Sequence, residues 1–153
     1  KRYPGRICWF CDECLEWSAL RHYRPLFNDP VMVIGDWNFG PTCYEDSYLK
    51  LDNMLEMSGM KSLYHTYHSL SPLETKHSTF KTTRNNFHHI DHMFGSRFFL
   101  ECMTAFQVDD FDQVVLSDHA PLLLELETWQ WTHVPHSVSW KEEKEDSWQS
   151  STS

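Results

Sequence analysis

The sequence predicts one layered α/β (α+β) domain, and three patterns support that fold class. Residues 31–34 form a continuous apolar run, which is typical of a strand covered on both faces. Residues 87–94 alternate as a further strand would, and residues 122–126 supply a final strand. Apolar residues at helical spacing in residues 7–26 and 46–58 predict helices that pack against the sheet.

Length and composition agree with one globular unit. The chain has 153 residues, of which 41% are hydrophobic, so it can bury a core. Its formal net charge of −9 opposes sequence-independent binding to a phosphate backbone, because that affinity comes chiefly from Lys and Arg. A nucleic-acid substrate would therefore be held locally or through a metal. The longest apolar runs are too short to span a bilayer, and an odd number of cysteines, five, favours a reducing, intracellular (cytoplasmic or nuclear) location.

The first predicted helix, residues 7–26, carries three cysteines. Cys8, Cys11 and Cys14 could form a zinc site with His22, since thiolate and imidazole suit that ion. Their three-residue spacing instead favours one buried stripe of the helix, where cysteine packs as a small hydrophobe. We therefore predict packing rather than a zinc site.

The strand at residues 31–34 places Asp36 at its carboxyl end, and a second helix follows it. Asp46 or Ser47 can cap this helix, and Gly59 marks its end. The predicted buried stripe consists of Tyr48, Leu51, Met54 and Leu55. Residues 61–67 and 78–81 indicate short strands or loops.

The later segments complete the predicted order of elements. If residues 87–94 form one strand, Asp91 faces the same side as His89 and Met93. His88, Ile90 and His92 then face the other side. Residues 114–116 and 122–126 follow an acidic loop at residues 109–112, and residues from about 136 onward indicate a disordered or loosely docked tail.

The first motif with chemical meaning is Gly35-Asp36-Trp37-Asn38. At a strand end, Asp36 could accept a proton from water. Asn38 would present its amide on the same side if the backbone stays extended, and Trp37 would point into packing. The alternative is an ordinary turn, because Gly, Asp and Asn are common turn residues.

The second motif, Ser117-Asp118-His119-Ala120-Pro121, places an acid and an imidazole next to an apolar strand. Such a pair can meet a metal-bound water and a phosphate oxygen together. Asp91 completes the set if its carboxylate holds the His119 ring and fixes the tautomer. The alternative is a turn with a solvent-facing histidine.

These motifs, in this order, resemble the endonuclease/exonuclease/phosphatase (DNase I-like) superfamily. Residues 35–38 resemble its Gly-Asp-aromatic-Asn motif, residues 90–92 its Ile-Asp-Tyr segment and residues 117–121 its Ser-Asp-His-x-Pro motif. Thr79-Phe80 resembles the Thr-aromatic pair of a substrate-side loop. The similarity runs from about residue 31 to residue 126, which corresponds to the carboxyl-terminal half of the family's domain.

The resemblance implies a fold and an activity. The fold would be half of a four-layer α/β/β/α sandwich, a mixed, largely antiparallel sheet with flanking helices, with residues 1–135 as a partial domain and residues 136–153 as the tail. The activity would be divalent-metal-dependent phosphoester hydrolysis, of phosphodiesters in particular, with Mg²⁺ or Mn²⁺ as cofactor. A nucleic acid is one possible substrate, and no membrane is involved.

The resemblance also implies roles for individual residues. Asp36 would be the general base, Asn38 a hydrogen-bond donor to the transition state, and Asp118 a metal ligand. His119, oriented by Asp91, would meet the scissile phosphate. The substrate-binding residues would be Thr79, Phe80 and Asn38.

One departure leaves open whether the chain is an active enzyme. Family members also use an Asn and a metal-binding Glu from earlier strands, whereas residues 1–30 hold only Glu13 and Glu16, both in the predicted helix. The chain could therefore be a truncated hydrolase that is inactive alone. Such a half would expose one apolar sheet face and should associate with a partner or a second copy through it. The chain could instead be a non-catalytic remnant that binds a phosphate ligand or another protein through the exposed face.

A third hypothesis is metal binding by histidines, of which there are 10. The candidates are His65, His68, His88, His89 and His92. The predicted strand sends His89 to the side opposite His88 and His92, so we expect no single coordination shell.

Overall fold

The computed structural model describes residues 20–28, 30–111 and 117–127. Only the end of the first predicted helix lies within these ranges: residues 20–23 are helical and continue into a 3-10 helix, Arg24–Asn28. The three cysteines of that helix, residues 114–116 and the predicted tail at residues 136–153 lie outside the described residues.

In the part of the chain that the structure describes, seven strands and three further helices follow in chain order. They are β1 (Met32–Asp36), α1 (Glu45–Glu56), β2 (Met60–Ser62), α2 (Leu63–His68), β3 (Phe80–Lys81), β4 (Phe87–His88), β5 (Asp91–Ser96), α3 (Arg97–Cys102), β6 (Met103–Val108) and β7 (Leu122–Leu126).

The described strands form three antiparallel sheets, so the predicted mixed α/β class with flanking helices is confirmed. The central sheet has the order β1-β5-β2, and the pairs β3-β4 and β6-β7 form the other two. The register of β1 against β5 places Asp36 directly opposite Asp91. Two acidic residues 55 positions apart in sequence therefore lie side by side at one end of the central sheet.

Helix α1 confirms the predicted buried stripe. Tyr48, Leu51 and Leu55 are fully buried, and Met54 packs against the same core from a partly buried position. The predicted cap is wrong: the helix begins at Glu45, and the capping position is Tyr44 in a left-handed conformation, with no side-chain capping bond. At the other end Gly59 has a φ of 79°, which glycine adopts without strain.

Gly40 shows how tightly the segment after β1 packs against the segment before β5. A Cβ atom at this position would lie 1.7 Å from the His89 carbonyl oxygen and 3.0 Å from His92 Nε2. Any larger residue would push these two segments apart. Glycine is therefore required for this close approach.

Residues 63–68 form helix α2, so the prediction of a strand or loop at residues 61–67 is wrong there. The aromatic and β-branched residues of this segment favour strands by intrinsic propensity. Tertiary context overrides that preference, because the Ser62 side chain caps the helix by accepting from the His65 N–H and because Leu63 and Tyr64 are buried.

The prediction of a single strand at residues 87–94 is also wrong, because residues 89 and 90 separate two strands, β4 and β5. The break changes the side-chain alternation: His89, Ile90 and His92 are all buried, and the rings of His89 and His92 lie 5.2 Å apart. His89 therefore does not point away from His92.

Within the described ranges, no helix has the length and apolar character needed to cross a membrane.

Candidate active site

Asp36 lies at the carboxyl end of β1, as the apolar run before it predicts, and it is exposed. The ladder with the neighbouring segment continues one residue further, because the Trp37 N–H donates to the Ile90 carbonyl at 3.0 Å. The Trp37 side chain is partly buried against the core and lies 6.0 Å from the Phe39 ring, centroid to centroid. Trp37 therefore points into packing while Asp36 faces solvent.

Asn38 does not continue the extended backbone. Its φ is 54°, and its backbone N–H donates to Asp36 Oδ1 at 2.9 Å. This is the turn that was the alternative interpretation of the motif, and asparagine tolerates it well. The turn brings the Asn38 backbone to the Asp36 carboxylate, and Asn38 is exposed.

Asp91 and His119 form the hydrogen bond that the motifs predict. His119 Nδ1 lies 3.1 Å from Asp91 Oδ1 and 3.0 Å from Asp91 Oδ2. A carboxylate at this nitrogen selects the tautomer in which Nδ1 carries the proton, which leaves Nε2 for another partner.

The charges of this pair follow from its surroundings. Burial alone would lower the pKa of the His119 imidazole, but the hydrogen bond and charge of Asp91, with Asp36 and Asp118, raise that pKa above its ordinary value. Burial raises the pKa of the Asp91 carboxyl, although hydrogen bonds from Thr79 and His119 oppose the effect. The site therefore favours a cationic imidazole.

Short contacts hold the His119 segment against β3. Phe80 pairs with His119 as an isolated antiparallel bridge, and their rings lie 4.8 Å apart. The His119 N–H donates to Ser117 Oγ at 3.0 Å, and the Lys81 N–H donates to the Asp118 carbonyl at 2.9 Å. The partly buried Phe80 thus lies against the histidine ring.

Two predicted site residues have positions that differ from their expected roles. Asp118 is exposed beside His119, but its carboxylate is not among the potential metal-binding groups found in the described residues. Thr79, predicted to bind substrate, is fully buried, and its hydroxyl accepts from the backbone N–H groups of Ile90 and Asp91. No sequence pattern predicts the burial of Thr79. Its neighbours Ser78 and Phe80 are only partly buried.

Asp36, Asp91 and His119 are close enough to hold a metal ion together. One ligand atom from each lies within 4.8 Å of the others, and no second such group occurs in the ranges that the structure describes. Two carboxylates suit a hard divalent cation such as Mg²⁺ or Mn²⁺. The third member fits less well, since His119 Nδ1 is already bonded to Asp91.

Three of the five histidines of the third hypothesis gather elsewhere, in what we call the buried histidine cluster: His65, His89 and His92. Their rings are 6.2 Å (His65 to His89) and 5.2 Å (His89 to His92) apart, and all three residues are buried. The cluster is closer than the predicted strand allowed. Its nitrogens do not meet the spacing of a metal site.

Comparisons with known proteins support the fold. No protein-family model and no curated protein matches the sequence. A solved structure of the 3' phosphatase NExo from Neisseria bound to a product DNA hairpin is similar, with a TM-score of 0.55 and 16% identity, over 79% of this chain and 58% of that one. A structure of the 3'-5' exonuclease NExo from Neisseria meningitidis has a TM-score of 0.54 and 16% identity, over 80% and 59% of the two chains.

At this identity the likeness shows the fold alone, and that fold is consistent with the DNase I-like architecture that the motifs imply. The chain spans less than two thirds of the length of the solved structures it matches.

Proposed function

We propose that this chain carries part of the active site of a divalent-metal-dependent phosphodiester hydrolase. The observation that supports this proposal most is the convergence of Asp36, Asp91 and His119 within 4.8 Å at one end of the central sheet. Phosphodiester hydrolysis needs a proton acceptor for water and positive charge on the phosphate oxygens. An exposed carboxylate beside a cationic imidazole meets both needs.

Each residue of the site has a proposed role in the reaction. His119, oriented by Asp91, donates a hydrogen bond from Nε2 to a non-bridging phosphate oxygen. Asp36 accepts the proton of the attacking water, and the Asn38 amide donates to the phosphate as its charge grows. A divalent ion held by the carboxylates of Asp36 and Asp91, with Asp118 beside them, would neutralise charge on the phosphate.

Asp36 has two proposed tasks, and one variant separates them. In Asp36→Ala, an unchanged Mn²⁺ affinity with lost turnover would identify a proton acceptor, whereas lost affinity would identify a metal ligand. Calorimetric titration with Mn²⁺ measures the affinity. Asp46→Asn, an exposed residue of α1, serves as the matched control.

A nucleic acid is the substrate class that we favour. The β3–β4 hairpin adjoins the site through the Phe80–His119 bridge, and it carries Lys81 and Arg84. Phe87 on the same hairpin is 46% exposed, and the Lys81 ammonium lies 5.5 Å from its ring centroid. Cations beside an exposed aromatic ring are suited to a phosphate backbone and a stacked base. This local positive charge offsets the acidic character of the chain as a whole. The DNA hairpin bound to the similar Neisseria phosphatase is in keeping with this substrate class.

Hydrolysis of a chromogenic phosphodiester, with and without Mn²⁺, tests the proposal. The resemblance assigns a further metal-binding Glu to earlier strands, so we expect slow, metal-dependent turnover from this chain. Either Asp36→Ala or His119→Ala should lower it by about 100-fold or more. Turnover that survives both changes would contradict the assignment. Metal binding with no turnover at all would favour the alternative, a non-catalytic remnant that binds a phosphate ligand or a protein partner.

The substrate class has its own test. Lys81→Ala with Arg84→Ala should raise KM for a short DNA strand and leave KM for the chromogenic diester unchanged. Lys50→Ala, an exposed cation of α1, is the control. Equal KM values for the DNA strand in all three proteins would exclude the hairpin as a nucleic-acid contact.

A further inference from the structure

Thr79 lies where three separate segments of the chain meet. It precedes β3 and is fully buried, so its side chain cannot touch a substrate. Its Oγ1 accepts two hydrogen bonds, from the backbone N–H groups of Ile90 and Asp91, each at 3.0 Å. One buried hydroxyl therefore satisfies two consecutive amides at the start of β5.

The backbone of Thr79 holds the neighbouring segments as well. Its N–H donates to the His88 carbonyl at 2.8 Å, and its carbonyl accepts from the Ala120 N–H at 2.7 Å. Thr79 is thus bonded on one side to the residues around Asp91 and on the other to the residue that follows His119. Asp91 and His119 are 28 positions apart and share no strand pairing, so this residue is a direct connection between them.

The two amide bonds explain why a hydroxyl is needed here. A buried backbone N–H without a partner is energetically unfavourable, so losing the hydroxyl would push the Ile90–Asp91 backbone to move. The hydroxyl proton itself remains available to the Asp91 carboxylate, and a hydrogen bond from Thr79 lowers the pKa of that carboxyl against the effect of burial.

We propose that Thr79 is a positioning residue, whose buried hydroxyl fixes the Ile90–Asp91 backbone while its carbonyl holds the His119–Ala120 segment, so that the Asp91 carboxylate meets His119 Nδ1. The consequence for catalysis rests on the proposed function. The geometric consequence does not, because the Asp91–His119 bond can be observed without turnover.

Two substitutions separate the hydroxyl from the shape of the side chain. Thr79→Val keeps the shape and removes the hydroxyl, and Thr79→Ser keeps the hydroxyl and removes a methyl group. Thr66→Val is the control: the hydroxyl of Thr66, on α2, also bonds the backbone, but it donates to the Ser62 carbonyl instead of accepting from amides.

The first measurement is proton NMR of the hydrogen-bonded His119 Nδ1–H, assigned by its absence in His119→Ala, together with amide exchange at Ile90 and Asp91. We expect Thr79→Val to lose the His119 signal and to exchange both amides faster, and Thr79→Ser and Thr66→Val to keep the signal. An unchanged signal and unchanged exchange in Thr79→Val would overturn the proposal. If Thr79→Val does not fold, a folded Thr79→Ser that lacks the signal would overturn it equally.

The second measurement is the metal-dependent hydrolysis of the chromogenic diester. Thr79→Val should lower kcat by about 10- to 100-fold with little change in KM, as expected when an outer residue orients a reacting one. Thr79→Ser should restore kcat to within a few-fold. A kcat in Thr79→Val equal to that of the unmodified chain would refute the catalytic role. If the unmodified chain has no turnover, the proposed function fails while the NMR result still decides the role of Thr79.

Discussion

Two histidine environments lie next to Asp91 in this molecule, and the pKa of the imidazole is shifted in opposite directions in the two. His119 bonds to Asp91, and that carboxylate with the neighbouring acids raises its pKa. The buried histidine cluster lies on the other side of the same segment: His89 and His92 flank Asp91 in sequence. Burial lowers the pKa of His65 and His89 to about 4 and that of His92 to about 3.

Burial alone does not determine the pKa of a histidine in this molecule. Side chains of His119 and Asp91 are 32% and 17% exposed, so this pair is itself partly buried, yet a charged partner favours the imidazolium. In the cluster the neighbours are other imidazoles and Tyr48, whose ring lies 4.8 Å from His92. Among the residues that the structure describes, His65 Nε2, His89 Nε2 and His92 Nδ1 are buried and have no hydrogen-bond partner, which suits neutral rings only.

The largest predicted effect is acid unfolding through the cluster. These imidazoles are neutral in the folded chain, whereas the unfolded chain binds protons near pH 6.5. The contribution of the neutral, buried imidazoles to the free energy of unfolding is therefore complete above about pH 6.5, and it is lost as the pH falls toward 4. From His65 alone the loss should be on the order of 3 kcal/mol.

Urea unfolding followed by tryptophan fluorescence, from about pH 7 to about pH 4, measures this loss. The same series in high salt is the control, because salt screens surface repulsion but not the burial of a charge. A free energy of unfolding that is constant across this range would show that the cluster is not neutral and buried.

The next effect concerns the other environment. Asp91→Asn removes the charge beside His119, so the His119 pKa should fall. The stabilisation from this pair depends on pH in the opposite direction to that from the cluster. It is present when His119 is protonated, and it is lost as the pH rises through the raised pKa of His119.

An NMR titration of the His119 ring protons measures the change, with Asp46→Asn as the control. If Asp91→Asn leaves the His119 pKa where it was, the contrast between the two environments has another cause.

The smallest effect is expected from Tyr48→Phe. The Tyr48 hydroxyl lies 3.2 Å from His65 Nδ1, but Ser62 Oγ lies at 2.7 Å from the same nitrogen and remains in place. The loss of one of two partners should cost about 1 kcal/mol. Urea unfolding at neutral pH tests it, and a cost above about 3 kcal/mol would indicate that Tyr48 is the main polar partner of the cluster.

Asp36, Asp91 and His119 could be predicted from the sequence because each lies in a short motif beside an apolar run. Asp36 follows the run at residues 31–34, and the structure places it at the end of β1 as predicted. The orientation of His119 by Asp91 was also predicted, and the bond is present. For Asn38 the motif offered two alternatives, an extended backbone and a turn, and the structure shows the turn.

Local sequence patterns were sufficient to predict the α/β class, the buried stripe of α1 and the motifs at residues 35–38, 90–92 and 117–121, because these depend on the spacing of apolar and acidic residues. Which distant side chains are buried together depends on the tertiary fold. The break before β5 turned His89 toward His92, and packing against Ile90 and Asp91 turned Thr79 from an expected substrate contact into a buried connection. The physical reason is that backbone amides at a strand end must find partners, and no local pattern states which distant side chain supplies them.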